Sequence, residues 1–363
     1  MKKQILMMAT TLLTALSVSA ADELRMLVGT YTGSGSKGIY SFRFNQATGE
    51  ALLLDSVEAG NPSYLAISAD GRMVYAVNEY SDADQAALSS FRFDPTSGHL
   101  TFVNKQLTGG GDPCYVETNG QIALTANYTR GSMSVFPLMP DGALGQRVNL
   151  FEGHARAAAA APQHLPHVHM TRFTRDGYIL ATDFSADQLL RFRVKGQQVT
   201  PLGVAGTLLA GAAPRHIALS NDEKRVYVMS ELGGTVTVFA HRKGKLRQLQ
   251  TVVSDSVGGR GGADIHLSAD GRYLYASNRL KADGISVFRV DQRTGLLQKV
   301  GYQLTGIHPR NFIITPNDRY LLCACRDSNM IQVFERDTVT GLLTLRHTIS
   351  LPKPVCVKFA PVQ

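Results

Sequence analysis

The chain is written in repeats of about 49 residues, seven of them, and a unit of that length cannot bury its own apolar face. The units must therefore pack against one another in an array. The clearest copy is NPSYLAISADGRMVYAVNE at 61–79. Others are PRHIALSNDEKRVYVMSE from Pro214, GADIHLSADGRYLYASNR from Gly262 and PRNFIITPNDRYLLCACR from Pro309. Weaker copies open at Pro113 and Val168, and a last one at Pro354. Each holds an alternating apolar segment, a tight turn of the Asp-Gly kind and a second segment rich in Val, Tyr and Leu, which predicts a β-hairpin. A third strand follows, as SSFRF at 89–93, TVTVFAH at 235–241 and ISVFRV at 285–290. A turn at Gly49, Gly98, Gly142, Gly196, Gly244, Gly295 or Gly341 then leads into a fourth.

Four strands per unit and seven units predict an all-β fold, a seven-bladed β-propeller of four-stranded blades. The unit opening at Pro354 runs out of chain, and its missing strands stand at the other terminus as MLVGTY (26–31) and GIYSFRF (38–44). Pairing of N- and C-terminal strands closes the ring and removes an exposed edge. Two packed β-sandwiches, the rival architecture, would not require a unit split across the termini. Trp is absent, so the repeat is not of the WD type. Residues 152–167, with His154, His164 and an alanine run at 157–161, exceed an ordinary connection and read as a surface insertion or a functional loop.

The first twenty residues stand outside this pattern. Lys2 and Lys3 precede an apolar run of about 14 residues, and Val18-Ser19-Ala20 supplies the small side chains of a signal-peptidase site. The run is short of the roughly 20 residues that span a bilayer. Residues 1–20 are therefore read as a cleaved secretory signal and 21–363 as one domain, periplasmic or secreted and without stable membrane insertion. The net charge of +8 falls once Lys2 and Lys3 are removed, and no basic run remains, so nucleic acid is not an expected partner. Cys323 and Cys325 share one face of a strand, about 7 Å apart by strand geometry, and the four cysteines are read as buried free thiols.

In a hairpin the start of the first strand lies beside the end of the second, so these positions collect at one mouth of the ring. The first set is Ser63, Cys114, His169, Arg215, Ala263, Arg310 and Val355. The second is Glu79, Tyr128, Phe184, Glu231, Arg279, Arg326 and Tyr31. Four arginines at a central opening repel one another and imply an anionic ligand, since guanidinium forks match carboxylate and phosphate. The alternative pairs Arg215 and Arg279 with Glu231 and Glu79 as internal salt bridges. Glu79, His216, Arg310 and Arg326 join this mouth as candidate substrate-binding residues. His167 and His169 are candidate general acid–base groups, or structural hydrogen-bonding residues; the nearby arginines argue against a metal, and no cofactor is expected. Gly258–Gly262 lacks the Gly-Lys-Ser/Thr ending of a phosphate loop and reads as an ordinary flexible connection, and no Gly-x-Ser-x-Gly elbow is present.

VGTYT at 28–32, Pro166-His167-Val168-His169, PRH at 214–216, SEL at 230–232, SNR at 277–279 and PRNF at 309–312 together resemble the seven-bladed lactonase family, which includes 6-phosphogluconolactonase and carboxymuconate lactonizing enzyme. Val168 departs from the family's second Pro. The resemblance implies that His167 or His169, Arg215, Glu231 and Arg279 form the active site, and it implies a hydrolase of carbohydrate metabolism, a lactonase acting on a small sugar-derived lactone with an anionic group. A carboxymuconate-type cycloisomerase and a non-catalytic propeller that binds anionic sugars or a protein partner remain open. A secretory signal is at odds with a cytosolic phosphorylated substrate, so the reaction class transfers more safely than the substrate.

Overall fold

The computed structural model describes residues 22–156 and 162–361; the predicted signal and the alanine run at 157–161 lie outside the described residues. Seven four-stranded antiparallel sheets form the ring. Blade 1 is the split one: Pro354–Phe359 pairs with Glu23–Thr30, Gly29 facing Cys356, and Gly38–Asn45 and Ala51–Glu58 complete it. Blades 2 to 7 open at Leu65, Gly111, Val168, Pro214, Gly262 and Pro309 in turn. The propeller and its closure are as the repeat predicts. No helix among the described residues is long and apolar enough to cross a membrane.

Burial explains the strand sequences. Second strands such as Met73–Asn78 and Tyr273–Asn278 are buried at every position, because blades cover both faces. Outer strands such as Leu100–Leu107 are half exposed and carry polar residues. The hairpin turns repeat one design. Ser68 N–H donates to Met73 O at 2.9 Å and Ser268 N–H to Tyr273 O at 2.9 Å, with Gly71 and Gly271 in left-handed backbone. Glu223 and Asp318 adopt the same φ without glycine's freedom.

Neighbouring blades are tied by a repeated contact. The hydroxyls of Tyr75, Tyr227 and Tyr275 donate to Gly142 O (3.1 Å), Gly295 O (3.0 Å) and Gly341 O (2.8 Å) of the next blade. Those glycines are three of the seven turn markers of the sequence, all with positive φ. Cys323 and Cys325 hold their sulfurs 3.9 Å apart, and all four cysteines are buried and free.

Candidate active site

A repeated irregularity builds the site. In six of seven blades the pairing of first and second strands slips at the first strand's start, leaving Cys114, His169, Arg215, Ala263, Arg310 and Val355 in bulges. A bulge re-aims a side chain. Here it sets one tier of residues at the mouth and drops the following residue, such as Tyr115, His216 or Asp264, one tier deeper on the axis, where Tyr64 of blade 2 packs against Tyr115 and His216. That second tier is packed solid: the rings of Tyr64 and Tyr115 lie 4.3 Å apart, with His216 at 5.9 Å and 5.7 Å from them.

At the mouth, Glu231 gathers two guanidinium groups. Its Oε2 lies 2.8 Å from Arg215 Nε and 3.2 Å from Arg279 Nη2. The Arg215 contact is ionic rather than a directed hydrogen bond, since that N–H finds no aligned acceptor. Arg215 is 2% exposed and Glu231 22%, so the carboxylate is the part of the trio that meets solvent. Burial lowers the Arg279 pKa, Arg215 adds to this and Glu231 opposes it. Arg279 is further held by Gly261 O at 2.8 Å and Gly262 O at 3.2 Å.

Those acceptors belong to the glycine-rich segment. It is an organised loop rather than a bare connection: the N–H groups of Val257, Gly258, Gly259 and Arg260 converge on the Asp255 carboxylate at 2.6–3.1 Å. A Cβ on Gly259 would stand 2.5 Å from Arg279 O, and one on Gly261 2.8 Å from it. The signal was present in the sequence, as glycines where only glycine lets two backbones approach.

The other candidate residues do not all join this trio: Arg326 turns away to Asp327 and His216 is buried a tier below. His169 is buried beside Arg215 and its Nδ1 has no hydrogen-bond partner among the described residues. Burial, then Arg215, pushes its pKa well below the ordinary imidazole value, so the ring is neutral. His167 stacks on Tyr128 at 4.0 Å and its Nδ1 meets Tyr128 O at 2.7 Å; burial lowers its pKa too. Glu79 pairs with Arg310 at 3.4 Å, accepts from Tyr31 Oη at 2.7 Å and from Ser63. The internal pairing considered above thus takes a different form, with both Arg215 and Arg279 on Glu231 and Glu79 given to Arg310. The physical reason is the ring: Arg279 stands one blade from Glu231, whereas Glu79 lies in blade 2, toward Arg310 in blade 7 across the closing blade.

Arg326 turns to its neighbour Asp327 at 3.0 Å and 2.8 Å, and Lys353 joins that carboxylate at 3.1 Å. His216 is buried in the second tier. Three groups outside the candidate set also matter: Asp264 beside His216, His308 against Arg279, and Tyr128 against both His167 and His169. Tyr128 was visible at a ring position, and Asp264 occupies the same repeat position as His216. His154 is spent on Asp183, 2.8 Å away. Burial raises the Cys114 thiol, so it stays protonated and is no nucleophile. No cluster of three His, Cys, Asp or Glu side chains that could hold a metal occurs among the described residues.

The mouth offers a solvent-facing carboxylate backed by two buried cations and a neutral imidazole. Such a set can orient water and hold a developing oxyanion. A protein-family model described as Lactonase, 7-bladed beta-propeller matches residues 25–359. The chain is 37% identical over 345 residues to a 6-phosphogluconolactonase of Bacillus subtilis, covering 92% of this chain and 97% of that one. It is similar to the structure of a Pseudomonas aeruginosa periplasmic gluconolactonase at 32% identity and a TM-score of 0.88, covering 94% of this chain and all of the other. A Bacteroides uniformis crystal structure is 54% identical with a TM-score of 0.91, covering 93% and 99%. The chain therefore belongs to the seven-bladed β-propeller lactonase family.

Proposed function

We propose that the protein hydrolyses a sugar-derived lactone at the mouth built around Glu231. The observation that carries this reading is the one carboxylate shared by Arg215 and Arg279. Glu231 accepts a proton from a water that attacks the lactone carbonyl. Arg279, with Arg215 behind it, stabilises the oxyanion as charge moves onto the carbonyl oxygen. Collapse of the tetrahedral intermediate breaks the ring C–O bond, and the leaving alkoxide takes back the proton, leaving an open hydroxy acid. His169, neutral and adjacent to Arg215, is the second proton-handling group.

An acidic substituent on the lactone is supported by charge, because Arg215, Arg279 and Arg310 face two carboxylates on the axis, Glu231 and Glu79. Export to the periplasm is supported by Lys2, Lys3 and the apolar run behind them, and by the likeness to a protein named as periplasmic. The test is release of acid from a panel of aldonolactones, with and without a phosphate group. Hydrolysis above the spontaneous rate is expected, faster for the acidic members. No acceleration of any lactone would overturn the reading and favour a binding protein.

A further inference from the structure

The two guanidinium groups on Glu231 are supported in the same way, although they come from different blades. Arg215 Nη1 donates to His216 Nε2 at 3.5 Å, and His216 Nδ1 lies 2.7 Å from Asp264 Oδ1. Arg279 Nη1 donates to His308 Nε2 at 3.1 Å, and His308 Nδ1 lies 3.5 Å from Asp327 Oδ2. Each is an Arg–His–Asp chain, one ending on Asp264 and the other on Asp327, and their arginines meet at Glu231. We propose that His216 with Asp264, and more loosely His308 with Asp327, are positioning residues that hold the guanidinium groups of the site; this rests on the lactonase reading above.

Whether His216 can hold Arg215 depends on which ring nitrogen carries the proton. A carboxylate accepts, so His216 must place its proton on Nδ1 to face Asp264, and Nε2 is left with a lone pair for the Arg215 N–H. The other tautomer would set two donors against each other and leave a buried carboxylate short of a partner. Asp264 is well equipped to enforce this choice. It also takes His266 Nε2 at 3.0 Å, the N–H of Ile265 at 2.9 Å and of Phe312 at 3.2 Å, and the Asn311 amide. The neighbouring Ala263 O accepts from the same Arg215 Nη1 at 2.7 Å, so backbone and imidazole of one network fix one guanidinium end. Burial and Arg215 together hold His216 neutral, at about 4. His216 and Asp264 are both buried, so their effect on substrate must pass through Arg215.

His216→Asn separates the roles, because the shorter amide can still donate to Asp264 but offers nothing to Arg215. Its kcat should fall about 10–100-fold with KM within about threefold. Asp264→Asn should do likewise, and the double variant should be no worse than the weaker single, as expected of groups acting in one chain. Nitrogen-15 spectra of the wild-type imidazole should show His216 protonated at Nδ1 alone, and Asp264→Asn should mix the tautomers. An unchanged kcat in His216→Asn, losses that multiply in the double variant, or a wild-type proton on Nε2 would overturn the proposal. The spectrum does not depend on any lactone being turned over, so failure of the lactonase reading is told apart from failure of this one.

Discussion

Arg215 and Glu231 sit at the two ends of one hairpin and meet at 2.8 Å because the pairing slips between Pro214 and His216. In a regular ladder Arg215 would take its turn in the alternation of the strand. The slip makes it the extra residue and turns its guanidinium to the carboxylate at the end of the partner strand. Arg279 then arrives from the next blade at the same oxygen.

Arg279 should not tolerate lysine. Its Nε and Nη2 are divided between Gly261 O, Gly262 O and Glu231, a fan of contacts that an ammonium cannot reproduce. Arg279→Lys is expected to lower kcat by about 100-fold, the scale of losing one oxyanion donor, and to lower the melting temperature as well, because buried acceptors lose their partners. Steady-state kinetics beside a thermal melt check this.

Gly259→Ala should impair activity from outside the reacting groups. The added methyl would stand 2.5 Å from Arg279 O, so the arginine backbone must shift, and positioning errors of this kind are costly. The expected result is a fall in kcat with circular dichroism unchanged. Gly258→Ala meets no atom within 4 Å and tests only the cost of a positive φ at that position.

Acid should destabilise the fold through its histidines. His169, His216 and His308 all titrate below the ordinary 6.5 in the folded chain, chiefly because burial disfavours their charge. The unfolded chain therefore binds protons near pH 6.5 that the folded one refuses, and stability falls as the pH drops from there. For His216 the loss continues to about pH 4. Urea midpoints at pH 7.5, 5.5 and 4.5 should decrease in that order, and the slope should be shallower in His216→Asn.

The blade ties make a control. Tyr227→Phe removes the hydrogen bond to Gly295 O in the next blade, far from the mouth. It should cost about 1 kcal/mol of stability and leave kcat/KM at the wild-type value. Chemical denaturation and kinetics on the same sample measure both.

The architecture was legible because each blade repeats its glycine turn and its alternation, so even the blade divided between Pro354–Phe359 and Glu23–Thr30 could be matched strand by strand. The repeat positions that gather Arg215, Arg279 and Glu231 were legible for the same reason. Partner choice was not. Nothing local tells Glu79 to take Arg310 rather than Arg279; that follows from the order of blades around the axis. The depth of His216 was hidden as well, since only the bulge at Arg215 separates a residue at the mouth from its neighbour one tier below. The glycines at 258–262 looked like a linker because their partner, Arg279 O, lies across the hairpin.

Glu231→Gln tests most directly whether Glu231 activates water between two arginines. The amide keeps the shape and removes the charge. Acid release from the best aldonolactone at pH 7 should drop by about 100- to 10,000-fold against wild type, with the fold intact by circular dichroism. A variant that turns over at the wild-type rate would contradict the account.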